Sequence, residues 1–331
     1  MLMMLVPLFD KLIWIPIINS SWIFPIVIVT FVILLIILLM VIRNFYYWLS
    51  PNLRLFIRRV YFFPSDLYSK WMRKENQLIP PKGLIFIGGG DFKTIGSMYL
   101  NRFIELGKLK PDHRVLDIGC GIGRIAIPLT TYLNSYGSYE GFDIVKIGID
   151  WCQKKITPKF PNFRFKYISL RNKLYTSENE NLARNFIFPY KDQDFDFIIL
   201  TSVFTHMLPE DMENYLKEIY RVLKPSGKCY VTFFLLNNTS KIAMVNNDEL
   251  NFTHIHGYFR THKKQLKEAN VAYEESYLIN NYLKTAHFEV DKIFYGYWSG
   301  RSREKTLDFQ DSIILSKKVN TRQNQIVNPI E

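Results

Sequence analysis

The feature that most constrains the fold is a glycine-rich turn between an apolar strand-like segment and a helix-like segment. Residues 115–129 read VLDIGCGIGRIAIPL, with glycines at 119, 121 and 123. The apolar run before the turn contains an acid, Asp117, and the run after it has helical character. Glycines at this spacing let the backbone turn sharply and approach a ligand, so the segment predicts a nucleotide-binding strand–turn–helix unit.

Strand-like and helix-like segments alternate around this turn. Strands are also predicted at 138–144, 163–169, 195–202 and 228–236, with helices at 94–109, 146–156 and 210–223. This alternation predicts an α/β fold with a mostly parallel sheet covered on both faces. Residues 237–285 break the rhythm and include a helix predicted at 273–286, and an antiparallel strand pair is predicted at 287–296 and 308–317.

The N-terminal part contains one long apolar run. Residues 23–42 read IFPIVIVTFVILLIILLMVI and carry no charge. A helix of this length spans about 30 Å, the thickness of the hydrocarbon core of a bilayer, so the run predicts one transmembrane helix after an N-terminal segment, 1–22. Basic residues are concentrated on its C-terminal side, which predicts a single-pass membrane protein with its catalytic domain in the cytoplasm.

Residues 43–92 combine basic and aromatic side chains and end in a Pro/Gly-rich linker. Such a segment beside a membrane span favours contact with the lipid bilayer, and this contact accounts for much of the net charge of +12. The globular domain is expected at 93–318, with an insertion at 237–286, followed by a disordered tail at 319–331.

The cysteine content argues against two classes of small protein. Cys120, Cys152 and Cys229 are far apart, and no CxxC or Cys/His spacing typical of a zinc site occurs. His254 and His256 have no acidic third ligand at a suitable spacing, so no metal site is predicted. The chain therefore lacks the pattern of a disulfide framework or a zinc module.

The identity of the nucleotide can be tested against two patterns. The dinucleotide fingerprint G-x-G-x-x-G requires a third glycine where this chain has Arg124. The other pattern places one acid in the first strand and a second acid at the end of the next, where a carboxylate can accept hydrogen bonds from both hydroxyls of a ribose. Asp117 and Asp143 occupy these two positions.

Four segments in this order resemble the motifs of class I S-adenosylmethionine-dependent methyltransferases: VLDIGCGIGR, GFDI, FDFIILTSVFTHM and YLKEIYRVLKPSGKCYVTFF. The resemblance covers about residues 94–317. It implies a Rossmann-like, seven-stranded methyltransferase sheet whose last strand is antiparallel, here preceded by the transmembrane helix. It also implies S-adenosyl-L-methionine as the cofactor.

The resemblance assigns roles to particular residues. Asp117 would orient the methionine amino group, and Asp143 would hold the ribose. Adenine would lie against Ile144. The residues that would also line the cofactor are Gly119, Cys120, Gly121, Gly123, Ser169, Leu170, Thr201 and Ser202, of which the last two face the methyl-transfer centre. The family often has an acid near Ser169, and this chain has none at 167–170.

Methyl transfer from a sulfonium is an in-line SN2 displacement, for which the protein supplies alignment and a dry site. His206 follows the fourth strand and is the candidate general base for an oxygen or nitrogen acceptor. The alternative is that His206 caps the next loop or shapes the pocket.

The acceptor is expected near the membrane, as a lipid, isoprenoid or lipid-linked glycan. A soluble sugar or another small molecule is the alternative, and a non-catalytic adaptor is a third hypothesis. An Asn/Asp-Pro-Pro-aromatic motif should follow the fourth strand of a base-modifying enzyme, and TSVFTHM stands there instead. No nucleic-acid partner is therefore expected.

Overall fold

A computed structural model describes residues 29–30, 49–72, 78–176, 179–246 and 250–317. Contacts divide the chain into two units, Met1–Arg54 and Leu55–Glu331, and the sheet described below belongs to the second.

The second unit is built on a seven-stranded sheet. Its strands are β1 Arg114–Ile118, β2 Ser138–Asp143, β3 Phe163–Tyr167, β4 Phe195–Leu200, β5 Leu223–Phe233, β10 Phe288–Phe294 and β11 Asp311–Lys317. Their order across the sheet is β10-β11-β5-β4-β1-β2-β3. β1 to β5 pair in parallel, whereas β11 is antiparallel to both β5 and β10. The predicted Rossmann-like sheet with an antiparallel last strand is confirmed.

Helices alternate with the parallel strands as predicted. They are α2 Phe92–Glu105, α3 Ala126–Leu129, α4 Lys146–Lys155 and α5 Pro209–Val222, and a further helix, α1 Pro51–Met72, precedes them in the chain. α5 shows why these helices could be predicted from the sequence. Pro209 begins the helix, and Glu210 and Asp211 complement the helix dipole in its first turn. One face carries the buried Met212, Leu216 and Ile219. The helix after the glycine turn is shorter than the sequence suggests, because α3 has only four residues.

Both faces of the large sheet are buried. One face carries Leu116, Phe142 and Ile198 against α5, and the other carries Val115, Tyr139 and Ile199 against α2 and α4. Adjacent residues of each strand point to opposite faces, so near-continuous apolar strands are what a doubly covered parallel sheet requires.

A four-stranded sheet, with the order β6-β9-β8-β7, follows β5. Its strands are β6 Leu235–Leu236, β7 His254–Ile255, β8 Phe259–Thr261 and β9 Val271–Glu274. α6 Asn238–Ala243 lies between β6 and β7, and α7 Glu275–Tyr277 continues as a π-helix over Leu278–Leu283. The helix predicted at 273–286 is therefore wrong in its first residues, because Tyr273 pairs with Leu235 and Phe259 in this sheet. We call residues 234–286 the cap.

The single-pass location with a cytoplasmic catalytic domain is also wrong by this structure. Within the described ranges, no helix is both long enough and apolar enough to cross a bilayer. α1 has 22 residues, but charged side chains interrupt it, among them Arg58, Asp66 and Lys70. The predicted span 23–42 itself lies outside the described residues, apart from Val29 and Thr30.

α1 nevertheless has an unusual surface. Ten of the eighteen large apolar side chains that are exposed in the described part of the chain lie on this helix, including Phe56, Tyr61 and Trp71. Arg58, Arg59 and Lys70 lie among them. Apolar side chains clustered in this way, rather than scattered singly, mark a surface that contacts something.

Candidate cofactor site

The glycine turn after β1 has the left-handed backbone that its sequence predicts. Gly119, Gly121 and Gly123 have φ values of 75°, 59° and 81°. The carbonyl of Phe142 in β2 accepts hydrogen bonds from the amides of Gly119 (2.9 Å) and Cys120 (3.1 Å), which ties the turn to the next strand. The Cys120 side chain is buried in the core, so this residue faces a ligand only through its backbone.

Asp143 closes the second side of the turn. Its carboxylate accepts a hydrogen bond from the amide of Gly121 (2.8 Å) and another from the amide of Val145 (2.7 Å). Burial raises the pKa of Asp143 to about 6, although these amides and that of Ile144 lower it. The two acid-bearing strand ends predicted from the sequence therefore meet at one turn.

Asp117 lies fully buried in β1 beside this turn. Tyr139 donates a hydrogen bond of 2.6 Å to its Oδ2, while Oδ1 is buried and has no hydrogen-bond partner within the described residues. Burial raises the pKa of Asp117 to about 7, the bond from Tyr139 lowers it, and the charge of Asp143 raises it further. A buried acceptor without a donor is rare in a folded protein, and the ammonium group of an amino-acid moiety would satisfy it directly or through a water.

Ends of the neighbouring strands reach the same edge of the sheet. The amide of Ile168 donates to the carbonyl of Asp143 (3.0 Å), which brings Ser169 and the buried Leu170 beside the second acid. Ile144 is half-buried and packs on the core next to Phe142. These positions agree with a site that extends from the turn toward the end of β3, although their role toward adenine stays a prediction.

The end of β4 approaches the turn from the opposite side. Thr201 is half-buried, and Ser202 has a left-handed backbone with φ 60°. That strained geometry is held by Thr232, whose hydroxyl accepts from the Ser202 amide (2.8 Å), and by Gln310, which accepts from the Ser202 hydroxyl (3.1 Å). Strain of this kind in a non-glycine residue persists where the surroundings fix it, and it is concentrated at functional sites.

His206 connects the end of β4 to the cap. Its Nδ1 lies 2.9 Å from the carbonyl oxygen of Glu268, and because a carbonyl only accepts, the ring donates from Nδ1. Burial lowers the pKa of His206 below its ordinary value, against the carbonyls of Glu268 and Ala269, which raise it. The ring is therefore neutral near pH 7 and keeps its basic lone pair on Nε2, as a general base requires. The same contacts also fit the alternative, in which His206 only holds the loop.

One part of the site was not predicted from the sequence. Residues 85–88, which we call the strap, cover the glycine turn: a Cβ at Gly121 would lie 2.9 Å from Cγ2 of Ile87, and one at Gly148 would lie 3.0 Å from the Phe86 ring. Arg124 holds the strap by donating to the carbonyl of Gly88 (3.1 Å). The Pro/Gly-rich composition indicated only a linker, and the sole sequence sign was the apolar LIFI within it.

Comparison with known proteins gives the site a family context. A family model described as a methyltransferase domain matches residues 116–231. A demethylmenaquinone methyltransferase of Lactobacillus johnsonii is 32% identical over 127 residues, which are 38% of this chain and 46% of that protein. Phosphoethanolamine N-methyltransferase 3 of Arabidopsis thaliana is 27% identical over 146 residues, which are 44% of this chain and 26% of that protein.

A third relative and one solved structure are also similar to this chain. A ubiquinone/menaquinone biosynthesis C-methyltransferase of Wigglesworthia glossinidia brevipalpis is 26% identical over 137 residues, which are 41% of this chain and 49% of that protein. The crystal structure of an S-adenosylmethionine-dependent methyltransferase from Clostridium acetobutylicum has a TM-score of 0.46 and 14% identity, and covers 78% of this chain and 100% of that one. The chain spans half or less of the length of these curated relatives.

The matched segment contains the last three residues of β1, the glycine turn, both buried acids, β4 and His206. The predicted enzyme class and cofactor are confirmed for this segment. Residues 116–231 form a methyltransferase domain, and its cofactor is S-adenosyl-L-methionine.

Proposed function

We propose that the whole chain transfers a methyl group from S-adenosyl-L-methionine to an oxygen or nitrogen atom of a lipid-linked acceptor. The observation that carries the methyl-transfer part is the left-handed glycine turn flanked by two buried carboxylates, one of which has an oxygen without a hydrogen-bond partner in the described part of the chain. The cofactor supplies an electrophilic methyl on a sulfonium, and the displacement is in line.

The residues of the chain would bind, orient and exclude water. Asp117 would hold the methionine amino group and Asp143 the ribose, each as an ionised acceptor. The strap and the end of β4 would keep water from the turn, since Ile87 and Val203 lie against Gly121 and Gly119. His206 would take the proton of a hydroxyl or amine acceptor at Nε2.

The surface of α1 supports the lipid-linked acceptor. Aromatic side chains combined with cations suit the interface of an anionic lipid surface, where rings enter the headgroup layer and cations attract phosphates. Phe56 and Trp71 are 61% and 82% exposed. An acceptor presented on such a surface would reach an enzyme that binds there through α1.

Two measurements test the proposal in sequence. Calorimetric titration of the full chain with S-adenosylhomocysteine should show binding, and its absence would favour the non-catalytic adaptor. Labelled S-adenosylmethionine is then offered with extracted lipids and, separately, with soluble sugars and small metabolites. Transfer to the soluble acceptors alone would contradict the lipid-linked acceptor and leave the methyltransferase activity intact. Because relatives are named for C- and N-methylation, the product also needs its methylated atom identified.

The contribution of α1 has a matched control. The double variant Phe56→Ser, Trp71→Ser should lose binding to vesicles of anionic lipid and transfer to the lipid fraction, while its affinity for S-adenosylhomocysteine stays that of the wild type. Ile187→Ser, at a 73% exposed apolar position that is not part of α1, should change neither property. Equal vesicle binding by the double variant and the wild type would remove the support that α1 gives to a lipid-linked acceptor.

A further inference from the structure

The helix α1 has two faces of different character. From Leu55 onward it belongs to the second unit. Half-buried positions recur along its inner face at spacings of three and four residues: Leu55, Arg58, Phe62, Asp66 and Ser69. Exposed large apolar side chains recur at the same spacings along the opposite, outer face: Phe56, Val60, Phe63, Leu67 and Trp71. Residues at these spacings share one side of a helix, so α1 turns one face to the protein and an apolar face outward.

The inner face of α1 holds the chain just before the strap. Both carboxylate oxygens of Asp66 accept backbone hydrogens, from Lys82 (2.7 Å) and Gly83 (2.8 Å). Nε of Arg58 donates to the carbonyl of Lys82 (3.2 Å). Gly83 is buried, and a Cβ there would lie 3.1 Å from Cα of Arg59, so this turn lies directly against the helix backbone. α1 therefore fixes the position of the turn.

A short connection leads from this contact to the cofactor site. Lys82–Leu84 form one 3₁₀ turn, and the amide of Ile85 in the strap donates to the Lys82 carbonyl (3.2 Å). The same carbonyl receives the hydrogen bond from α1. Ile87 of the strap then covers Gly121 in the glycine turn. A displacement of the 3₁₀ turn would therefore move the side chains that cover the cofactor site.

Core packing does not hold α1 in place. In the part of the chain that the structure describes, the helix buries no apolar side chain, and none of its residues belongs to a hydrophobic core cluster. A helix of 22 residues is marginally stable by itself in water, and regions with few buried apolar contacts open locally at low cost. The order of α1 can therefore change without unfolding the sheet.

A helix that served only to stabilise the fold would not have this arrangement. Such a helix buries its apolar side chains, whereas α1 contacts the protein through Arg58 and Asp66 and leaves large apolar side chains outside. An anionic lipid surface would cover the outer face and attract its cations, Arg59 and Lys70. Because the contact with the turn lies on the other side, lipid can bind α1 without displacing it.

We propose that binding of α1 to an anionic lipid surface keeps the strap closed and so slows the release of S-adenosylhomocysteine. This inference rests on the lipid binding of α1 in the proposed function. Lipid orders α1, the ordered helix holds Lys82 and Gly83 through Asp66 and Arg58, and the strap stays on the glycine turn. Away from lipid, α1 loosens and the strap opens. The enzyme then retains its cofactor where a lipid-linked acceptor is available.

The test measures S-adenosylhomocysteine binding to the full chain with and without vesicles of phosphatidylglycerol and phosphatidylcholine. Anionic vesicles should raise the affinity about fivefold, at the lower end of couplings between sites, mainly by lowering the dissociation rate measured by stopped-flow. Vesicles of phosphatidylcholine alone should have a smaller effect. Coupling is reciprocal, so saturating S-adenosylhomocysteine should raise the affinity for anionic vesicles by the same factor.

Two variants break the contact from opposite sides and leave the outer face intact. Asp66→Asn removes one of the two acceptors on α1, and Gly83→Ala places a methyl group against the backbone of Arg59. Both should still bind anionic vesicles, but the vesicles should change their S-adenosylhomocysteine dissociation rates by less than about twofold. Asp112→Asn removes the same charge at an exposed position outside α1 and the strap, and as the matched control it should keep the full effect.

The outcomes separate this inference from the proposed function. Vesicle binding with an unchanged rate of S-adenosylhomocysteine release would overturn the coupling and leave the lipid-binding role of α1 intact. Faster release on vesicles would mean that lipid draws α1 away from the turn, which is the opposite of the proposal. Coupling that persists in both Asp66→Asn and Gly83→Ala would show that it does not pass through this contact. Absence of vesicle binding by the wild type would contradict the lipid surface itself and both proposals with it.

Discussion

At the scale of single residues, Asp143 joins the glycine turn to β2, since both of its carboxylate oxygens accept backbone hydrogens. Asp143→Asn keeps the size of the side chain but removes its charge and one acceptor. We expect the affinity for S-adenosylhomocysteine to fall by about 2 kcal/mol, measured by calorimetry. Asp150→Asn is the control, because Asp150 is exposed on α4 and, among the described residues, pairs only with Lys146, so the affinity should not change. Equal affinities of the two variants would mean that the ribose binds elsewhere.

His206 can be tested with a substitution that separates its two possible roles. Asn places an amide nitrogen near the position of Nδ1, so His206→Asn keeps a donor for the Glu268 carbonyl and removes the base at Nε2. If His206 is the general base, the rate of transfer to the lipid fraction should fall about 10²-fold or more while the affinity for S-adenosylhomocysteine is unchanged. Near-normal turnover in this variant would favour the loop-holding role.

The pH profile gives an independent readout of the same residue. Because burial lowers the pKa of His206, the wild-type rate at saturating S-adenosyl-L-methionine should rise with pH on a limb below the ordinary histidine value. His206→Asn should lose that limb. A limb that His206→Asn retains unchanged would contradict general-base catalysis by this ring.

At the scale of elements, the strands and helices that a local residue pattern determines could be predicted from the sequence. The elements that depend on pairing between distant segments could not. The central strands of the large sheet were found because they are short, mostly apolar runs, and β3 and β10 because apolar and charged residues alternate in them. The alternation of strands with helices predicted their parallel pairing. The predicted helix at 273–286 contained Tyr273, whose helical spacing was overridden by strand pairing with Leu235 and Phe259. The acids and glycines of the site could be predicted because the conformation of a tight turn depends mainly on its own residues. The strap was not, because Ile87 meets Gly121 only through the fold.

α1 and the strap are linked by one carboxylate. Asp66 in α1 accepts from the amides of Lys82 (2.7 Å) and Gly83 (2.8 Å), just before the strap. Asp66→Asn should loosen the strap, since an amide offers one acceptor in place of two. We expect the dissociation rate of S-adenosylhomocysteine, measured by stopped-flow, to rise roughly fivefold, about 1 kcal/mol.

The stability of the Asp66→Asn protein serves as its control. One of these hydrogen bonds is solvent-exposed and the other is only part-buried, so the free energy of unfolding should change by about 1 kcal/mol or less. A dissociation rate equal to that of the wild type would show that the strap does not govern release. A large loss of stability would show that Asp66 supports the fold and not the strap alone.

At the scale of the whole molecule, one residue of the cofactor site, the buried Asp117, lowers the stability of the fold at neutral pH. Asp117 is fully buried, its Oδ1 has no hydrogen-bond partner among the residues that the structure describes, and burial raises its pKa from 3.8 to about 7. The native state therefore keeps a proton on Asp117 at pH values where the unfolded chain has lost it. By linkage, its contribution to the free energy of unfolding falls as the pH rises from about 4 to about 7, and stays low above that.

Asp117→Asn isolates this effect, because asparagine resembles the protonated acid and its carbonyl still accepts from Tyr139. Urea unfolding of both proteins should show similar stabilities near pH 4, and the variant should become more stable than the wild type by a few kcal/mol at pH 8. All other titratable groups are the same in the two proteins, so their contributions to the pH dependence of stability cancel in this comparison. The variant should also bind S-adenosylhomocysteine more weakly, since it cannot pair with an ammonium group. Saturating ligand should therefore reduce the difference in stability at pH 8. A difference that is independent of pH would mean that Asp117 is ionised in the free protein, with a donor at Oδ1 such as a bound water.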